Sequence, residues 1–222
     1  MKHVAQYIDQ TILNPEVTQK EIELFLDGVK KFRFIAAVIN PCWVELARSL
    51  LPQDIKVCSV VAFPLGASST QTKVYATKDL IHKGCDEIDM VLNIGKLKEK
   101  DYSYVRKEIE QVVDAAQGKV VKVIIETCLL NEEEKKTAAC IIKEHGAQFV
   151  KTSTGFSRQG ARIEDVKLLR HVVGPDFGVK ASGGIRTFTE VKEFIEAGAN
   201  RIGTSAGERI MAEHQRIRTP EY

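Results

Sequence analysis

Gln148-Phe-Val-Lys151-Thr-Ser-Thr-Gly155 and Phe177-Gly-Val-Lys180-Ala-Ser-Gly-Gly184 are two similar stretches. Each reads as a short apolar strand that ends in a lysine and runs at once into small and hydroxylated turn residues. The lysines lie 29 positions apart (180 minus 151), and Ile163, Val166, Leu169 and Val173 recur between them at helical spacing. That span is the length of one strand-helix-strand unit, which predicts neighbouring parallel strands with the lysines roughly 5 Å apart. Two ammonium groups so close in a partly dry site repel each other, and both burial and the like charge favour a neutral amine. A neutral lysine attacks carbonyls, so the pair suits Schiff-base chemistry. The competing reading is that both side chains snorkel from strand ends into solvent; the repeated setting, Val-Lys followed by small residues and glycine, weighs against it.

Working outward, short apolar stretches lie near 8–12, 33–39, 56–62, 87–92, 119–126, 147–151, 177–181 and 200–203. Amphipathic segments fill the gaps. Thr18-x-x-Glu21, Asn131-x-x-Glu134 and Thr187-x-x-Glu190 have the pattern of helix N-caps, and Pro41 after Asn40 suits a first helical position. Val105, Ile109, Val112, Val113 and Ala116 share a helical face, with Gly118 placed to stop that helix. Gly84-Cys-Asp-Glu-Ile-Asp89, Gly146-Ala-Gln-Phe-Val-Lys151 and Gly198-Ala-Asn-Arg-Ile-Gly203 repeat one helix-turn-strand joint. Eight alternating strands and helices without a linker predict a single-domain (β/α)8 barrel over residues 1–222, with a doubly wound sheet as the alternative. From about residue 213 the chain turns polar and is expected to fray; Tyr222 at its end either stays loose or folds over a pocket.

Composition removes several classes of function. A net charge of +2 with dispersed basic residues gives no case for nucleic acid or an anionic membrane. No stretch approaches a membrane span, and the N-terminus lacks an apolar run before its first charged segment, so the protein is expected to stay where it is made. Cys42, Cys58, Cys85, Cys128 and Cys140 are odd in number and contain no Cys-x-x-Cys pair, which suits reduced thiols in a cytoplasmic protein and argues against a metal site. Neither metal nor cofactor is expected.

In Glu87-Ile-Asp-Met-Val-Leu92 the two-residue period puts Ile88, Met90 and Leu92 on one face, which should pack against helices and turn Asp89 into the barrel. A carboxylate there either relays a proton or neutralises the lysines. Asp9, beside Thr11 in the first strand, points inward by the same logic and either orients a substrate hydroxyl or serves as a structural hydrogen-bonding group. Lys122 and Glu126 also fall in a strand stretch, but nothing glycine-rich follows them, and each reads as half of a structural ion pair. Cys128 reads as a buried thiol. Ala181-Ser-Gly-Gly184 and Gly203-Thr-Ser-Ala-Gly207 follow the last two strands, where barrels commonly hold a phosphate; the alternative is tight turns without a ligand.

Taken together, Val150-Lys151-Thr-Ser-Thr-Gly-Phe156, Val179-Lys180-Ala-Ser-Gly-Gly-Ile-Arg186, Glu87-Ile-Asp-Met-Val-Leu-Asn-Ile-Gly95 and Phe63-Pro-Leu-Gly66 resemble the deoxyribose-phosphate aldolase family of class I aldolases, from about Asp9 to Gly207. The resemblance implies a metal-free (β/α)8 barrel and reversible cleavage of 2-deoxy-D-ribose 5-phosphate to D-glyceraldehyde 3-phosphate and acetaldehyde. It implies Lys151 as the Schiff-base lysine, Lys180 as the lysine that keeps it neutral, and Asp89 as the proton-relay carboxylate. Thr154, Gly155, Gly183, Gly184, Gly203 and Ser205 fall on substrate-binding and phosphate-binding positions, with Asp9 beside the substrate. Gln10 stands where members often have histidine, Val38 where many have cysteine, and Ala206 where many have a second serine, which removes one phosphate hydrogen bond. An aldolase for another sugar phosphate and a catalytically silent sugar-phosphate binder remain as rival readings. Apolar strips on the helices leave a homo-oligomer open.

Overall fold

The computed structural model describes residues 3–218, in which eight parallel strands close into a barrel in sequence order. The strands are β1 (Ile8–Ile12), β2 (Ala36–Ile39), β3 (Lys56–Val61), β4 (Glu87–Val91), β5 (Val120–Ile124), β6 (Phe149–Lys151), β7 (Gly178–Ser182) and β8 (Arg201–Thr204). Outside them lie α1 (Gln19–Phe32), α2 (Val44–Leu50), α3 (Thr70–His82), α4 (Ile94–Lys98), α5 (Tyr102–Ala115), α6 (Glu132–Glu144), α7 (Ile163–Val173), α8 (Phe188–Glu196) and α9 (Gly207–Arg218). The (β/α)8 barrel expected from the alternating pattern is the observed architecture, and the doubly wound alternative is excluded by the pairing of β1 with β8.

Local signals act where the sequence places them. Glu21, Glu134 and Glu190 close capping boxes with Thr18, Asn131 and Thr187 at the starts of α1, α6 and α8, satisfying backbone donors that a helix start leaves open. Two strand ends differ from the apolar stretches. Residues 33–35 precede β2 because α1 continues to Phe32 and Arg33 ends it in a left-handed conformation. β5 stops at Ile124, since Glu126 at φ 49° leaves the extended region and starts a 3-10 turn over Thr127–Leu129. α9 runs past 213 to Arg218: Glu213 accepts the backbone N–H of Phe188, and the buried His214 packs on the Phe188 ring. Tyr222 lies outside the described residues.

The core between sheet and helices is made by the outward residues of the strands, Ile88, Met90 and Leu92 among them, and by helix faces such as Ile22, Leu26 and Val29 of α1. Each such side chain contributes about 1.5–3 kcal/mol on full burial. Inside the barrel the lining divides. Leu13, Ala36, Val38, Cys58 and Val60 form an apolar sector on the β1–β3 side, while β1 and β4–β8 supply Asp9, Glu87, Asp89, Lys122, Lys151, Lys180 and Arg201, all buried. The apolar sector fills the barrel; the charged one needs a chemical explanation.

Candidate active site

Parallel pairing aligns Lys151 of β6 with Lys180 of β7, and Asp89 of β4 with Lys122 of β5. The side chains converge on Asp89. Its Oδ2 lies 2.6 Å from Lys151 Nζ and 2.7 Å from Lys180 Nζ. Its Oδ1 lies 3.0 Å from Lys122 Nζ and accepts the Cys58 thiol at 3.2 Å. Deeper in the barrel Lys122 also meets Glu87 at 2.5 Å, Arg201 bridges Asp9 and Glu87 at 2.5 and 2.8 Å, and Lys180 reaches Asp9 at 2.5 Å. Four bases and three carboxylates therefore form one connected network.

Net charge in a dry interior is costly, so the network favours losing one proton. Lys151 is the group placed to lose it. Burial is the largest influence on its amine and pulls the pKa below 10.5; Asp89 opposes and Lys180 adds to the depression. Burial acts in the same sense on Lys180 and Lys122, but their carboxylate partners outweigh it and hold both ammonium groups above the usual lysine range. Asp89 sits well below the usual carboxylate range: burial would raise it, and Lys122, Lys151 and Lys180 together overcome that. The depression at Lys151 thus comes first from burial and only secondarily from the second lysine.

Above the network a cavity of about 330 Å³ opens at the carboxyl ends of the strands. Lys151 lies on its wall, as do Thr154, Gly155, Gly183, Gly184, Gly203 and Ser205, every glycine and hydroxyl singled out as a substrate-side position. Lys180 and Asp89 lie beneath, within reach of Lys151. Asp9 is fully buried, and its carboxylate meets Arg201 and Lys180 among the charges below the cavity. Glycine is required at 203 because a Cβ there would come within 2.8 Å of Ser182 Cβ and 3.1 Å of Lys180 Cε. Gly183, at φ 89°, backs onto Gly155.

Gln10 has a definite place. Its side chain donates to Ser205 O at 3.3 Å and accepts the Gly207 N–H at 3.0 Å, pinning the turn after β8. The Ala206 N–H is held within that turn by Thr204 Oγ1 at 2.9 Å. Val38 belongs to the apolar sector.

The arrangement provides a buried amine of lowered proton affinity facing a cavity, a carboxylate in contact with it, a second ammonium group on the same carboxylate oxygen, and glycine turns one side chain away. A model of the DeoC/LacD family of aldolases matches residues 3–213. The chain belongs to this aldolase family. A deoxyribose-phosphate aldolase of Thermoanaerobacter sp. (strain X514) is 53% identical over 220 residues, covering 97% of this chain and 99% of its own length. One from Thermococcus kodakarensis is 53% identical over 215 residues, 95% and 96% of the two chains. Among solved structures, "QR15, an Aldolase" superposes with a TM-score of 0.95 at 40% identity over the whole of both chains. A tetrameric deoxyribose phosphate aldolase from Aeropyrum pernix has a TM-score of 0.88 at 30% identity over 96% of this chain and 92% of its own.

For this aldolase-family chain, sequence reasoning passed over four residues. Lys122 does form ion pairs, as expected, but one of them is with Asp89 itself. Strict alternation in β5, with Val121 and Val123 outward, would have sent Lys122 inward. The same rule applied to β8, where Ile202 packs outward, finds Arg201. Glu126 lies beyond the strand and bonds to Thr154 instead of pairing with a base. Cys58 carried no local signal, because its neighbour Asp89 comes from another strand. Cys128 is half-buried, 3.4 Å from Ser157 Oγ.

Proposed function

We propose that this chain is a deoxyribose-phosphate aldolase that cleaves 2-deoxy-D-ribose 5-phosphate reversibly through a Schiff base on Lys151. The observation that carries the reading is that Lys151 and Lys180 share one oxygen of Asp89 while Lys151 alone of the three borders the cavity. The relatives named above are deoxyribose-phosphate aldolases at 53% identity across nearly their full length.

The neutral Lys151 amine adds to the C1 aldehyde of the open-chain sugar, and loss of water gives a protonated imine. Its nitrogen takes the electron pair of the C2–C3 bond as that bond breaks, leaving an enamine. Asp89, through water and with Lys180, receives the C3 hydroxyl proton, so the departing fragment leaves as glyceraldehyde 3-phosphate. The enamine is protonated at C2, and water hydrolyses the imine to release acetaldehyde and restore the amine. Lys180 supplies the proton that makes the imine cationic and takes it back on hydrolysis, while the C3 hydroxyl proton held at Asp89 is the one delivered to C2, so the shared charge stays constant through the cycle.

At the other end, the backbone at Gly155, Gly183 and Gly184, the end of β8 at Gly203 and the Ser205 hydroxyl bind the phosphate, while Thr154, whose hydroxyl proton goes to Glu126, faces the adjoining sugar. Asp9 acts from below as the counter-charge of Lys180 and Arg201. The chain works in the cytoplasm, where its five unpaired cysteines suit a reducing medium, and it works as a homo-oligomer, as the Aeropyrum pernix relative does.

The test is direct product analysis. Purified protein incubated with 2-deoxyribose 5-phosphate is expected to yield acetaldehyde and glyceraldehyde 3-phosphate in equal amounts. Saturable binding of the sugar with neither product formed would favour the silent binder, and turnover only with a different sugar phosphate would favour the other aldolase.

A further inference from the structure

Glu126 is buried in a conformation that its side chain disfavours. Its φ of 49° lies in the left-handed region, where a Cβ is crowded. Four other non-glycine residues among those described share a positive φ; Arg33, Lys100 and Gln117 are exposed and Ala62 is half-buried, whereas Glu126 is 3% exposed. A buried, unfavourable backbone persists where the surroundings over-determine it. At Glu126 the side-chain hydrogen bonds all go to a single turn. The carboxylate accepts the Thr154 hydroxyl at 2.5 Å and the Thr154 backbone N–H at 3.3 Å. Thr154 Oγ1 in turn accepts the Phe156 backbone N–H at 3.1 Å.

These bonds bracket Gly155. Thr154 and Phe156 are fixed on either side of it, and Gly183 backs onto its Cα. Strand β6 ends at Lys151, so nothing in the barrel ladder fixes residues as far along as 154–156. On the other side of the turn, Phe156 packs edge-on against Phe63, with ring centroids 5.2 Å apart. Glu126 thereby ties the loop of the neighbouring strand to its own, behind the part of the cavity wall made by Thr154, Gly155 and Phe156. Both carboxylate oxygens hydrogen-bond to Thr154, and the charge of Lys151 reaches the group only through space.

We infer that Glu126 is a positioning residue for the phosphate end of the substrate: by engaging the N–H groups on either side it sets the Thr154–Gly155–Phe156 turn so that the Gly155 N–H, which these bonds leave unused, meets the phosphate. This rests on the reading of Gly155, Gly183, Gly184 and Gly203 as phosphate-side turns.

The experiment compares Glu126→Gly, Glu126→Gln and the unaltered protein on 2-deoxyribose 5-phosphate and on unphosphorylated 2-deoxyribose, with thermal unfolding of each. Glycine accepts the left-handed backbone, so E126G removes the carboxylate without adding strain. E126Q keeps an acceptor for the Thr154 N–H. For E126G the expected result is a KM for the phosphorylated sugar raised about tenfold or more, the scale of losing charge-assisted hydrogen bonds at the turn. Its kcat should change less than about threefold, and its kcat/KM on the unphosphorylated sugar by a similarly small factor. E126Q should recover most of the lost KM. Equal losses on both sugars, or a fall in kcat at constant KM, would overturn the positioning role and move Glu126 into the chemistry or the general fold. An unchanged KM in a folded E126G overturns it as well. If the unaltered protein shows no preference for the phosphorylated sugar, the phosphate reading falls and this inference with it, an outcome visible before any variant is made.

Discussion

Lys122 Nζ lies 3.0 Å from Asp89 Oδ1, the oxygen opposite the one that Lys151 and Lys180 share. The carboxylate is held from behind by one lysine so that its other oxygen faces two. Because Lys122 also meets Glu87, the orientation of Asp89 is tied to the ion pairs of the barrel floor.

Replacing Lys122 with methionine should therefore disturb chemistry without touching the cavity wall. Asp89 would lose its rear anchor, and displacement of a reacting group of about 1 Å can cost about 10²-fold in rate. With Lys122 gone, the charge of Asp89 acts more strongly on Lys151 and favours its protonated form. The acid limb of imine formation should move to higher pH. Glu87 would be left without one partner, a buried imbalance of about 3–5 kcal/mol, read as a lower urea midpoint. An unchanged acid limb would deny Lys122 any influence on Lys151.

Asp89→Asn separates two steps. Removing the anion lowers the proton affinity of all three lysines that meet it, so Lys151 stays neutral and still forms an imine with acetaldehyde. Cleavage of the phosphorylated sugar, which needs the proton relay, should fall by about 10² to 10⁴. Borohydride trapping with acetaldehyde and steady-state cleavage read the two independently. Equal loss of both would mean that Asp89 supports the amine and not the relay.

The lowered pKa of Lys151 sets the direction of the pH profile. Its amine is neutral above that pKa and protonated below it, so acetaldehyde trapping should rise through an acid limb lying below 10.5 and then level off. A limb at or above the ordinary lysine value would contradict the burial argument.

Stability should follow the network at both extremes. Asp9 and Asp89 have native pKa values below 3.8, so their contribution is present above that pH and is lost as pH falls through the native values. Lys122 and Lys180 are shifted the other way: their contribution is complete below 10.5 and declines as pH rises past it. Urea midpoints measured against pH should show a plateau bounded on both sides, and a midpoint that stayed level well below pH 3.8 would remove the carboxylates from the account.

The fold and the meeting of Asp89, Lys151 and Lys180 inside the barrel were legible in the sequence for a physical reason. Parallel strands buried on one face by helices and on the other by a barrel interior leave a two-residue alternation, and a charged residue on the inner parity stands out, as Asp89 does in Glu87–Val91. Lys151 and Lys180 announced themselves because glycine and hydroxyl residues follow them. Lys122 and Arg201 obey the same alternation but lack such a flag. Glu126 and Gln10 were not legible as partners: their contacts lie 28 and 195–197 positions away along the chain. A side chain bonding to a backbone on a different strand leaves no periodic trace in either segment.

The central claim is that Lys151 carries the covalent intermediate. Incubation with 2-deoxyribose 5-phosphate and sodium borohydride, followed by intact mass and peptide mapping, addresses it most directly. A single stable adduct on the peptide containing Lys151, absent from Lys151→Met, is the expected result. An adduct on Lys180 would reverse the two lysines, and no adduct on any lysine of the folded protein with the sugar in excess would contradict the imine mechanism.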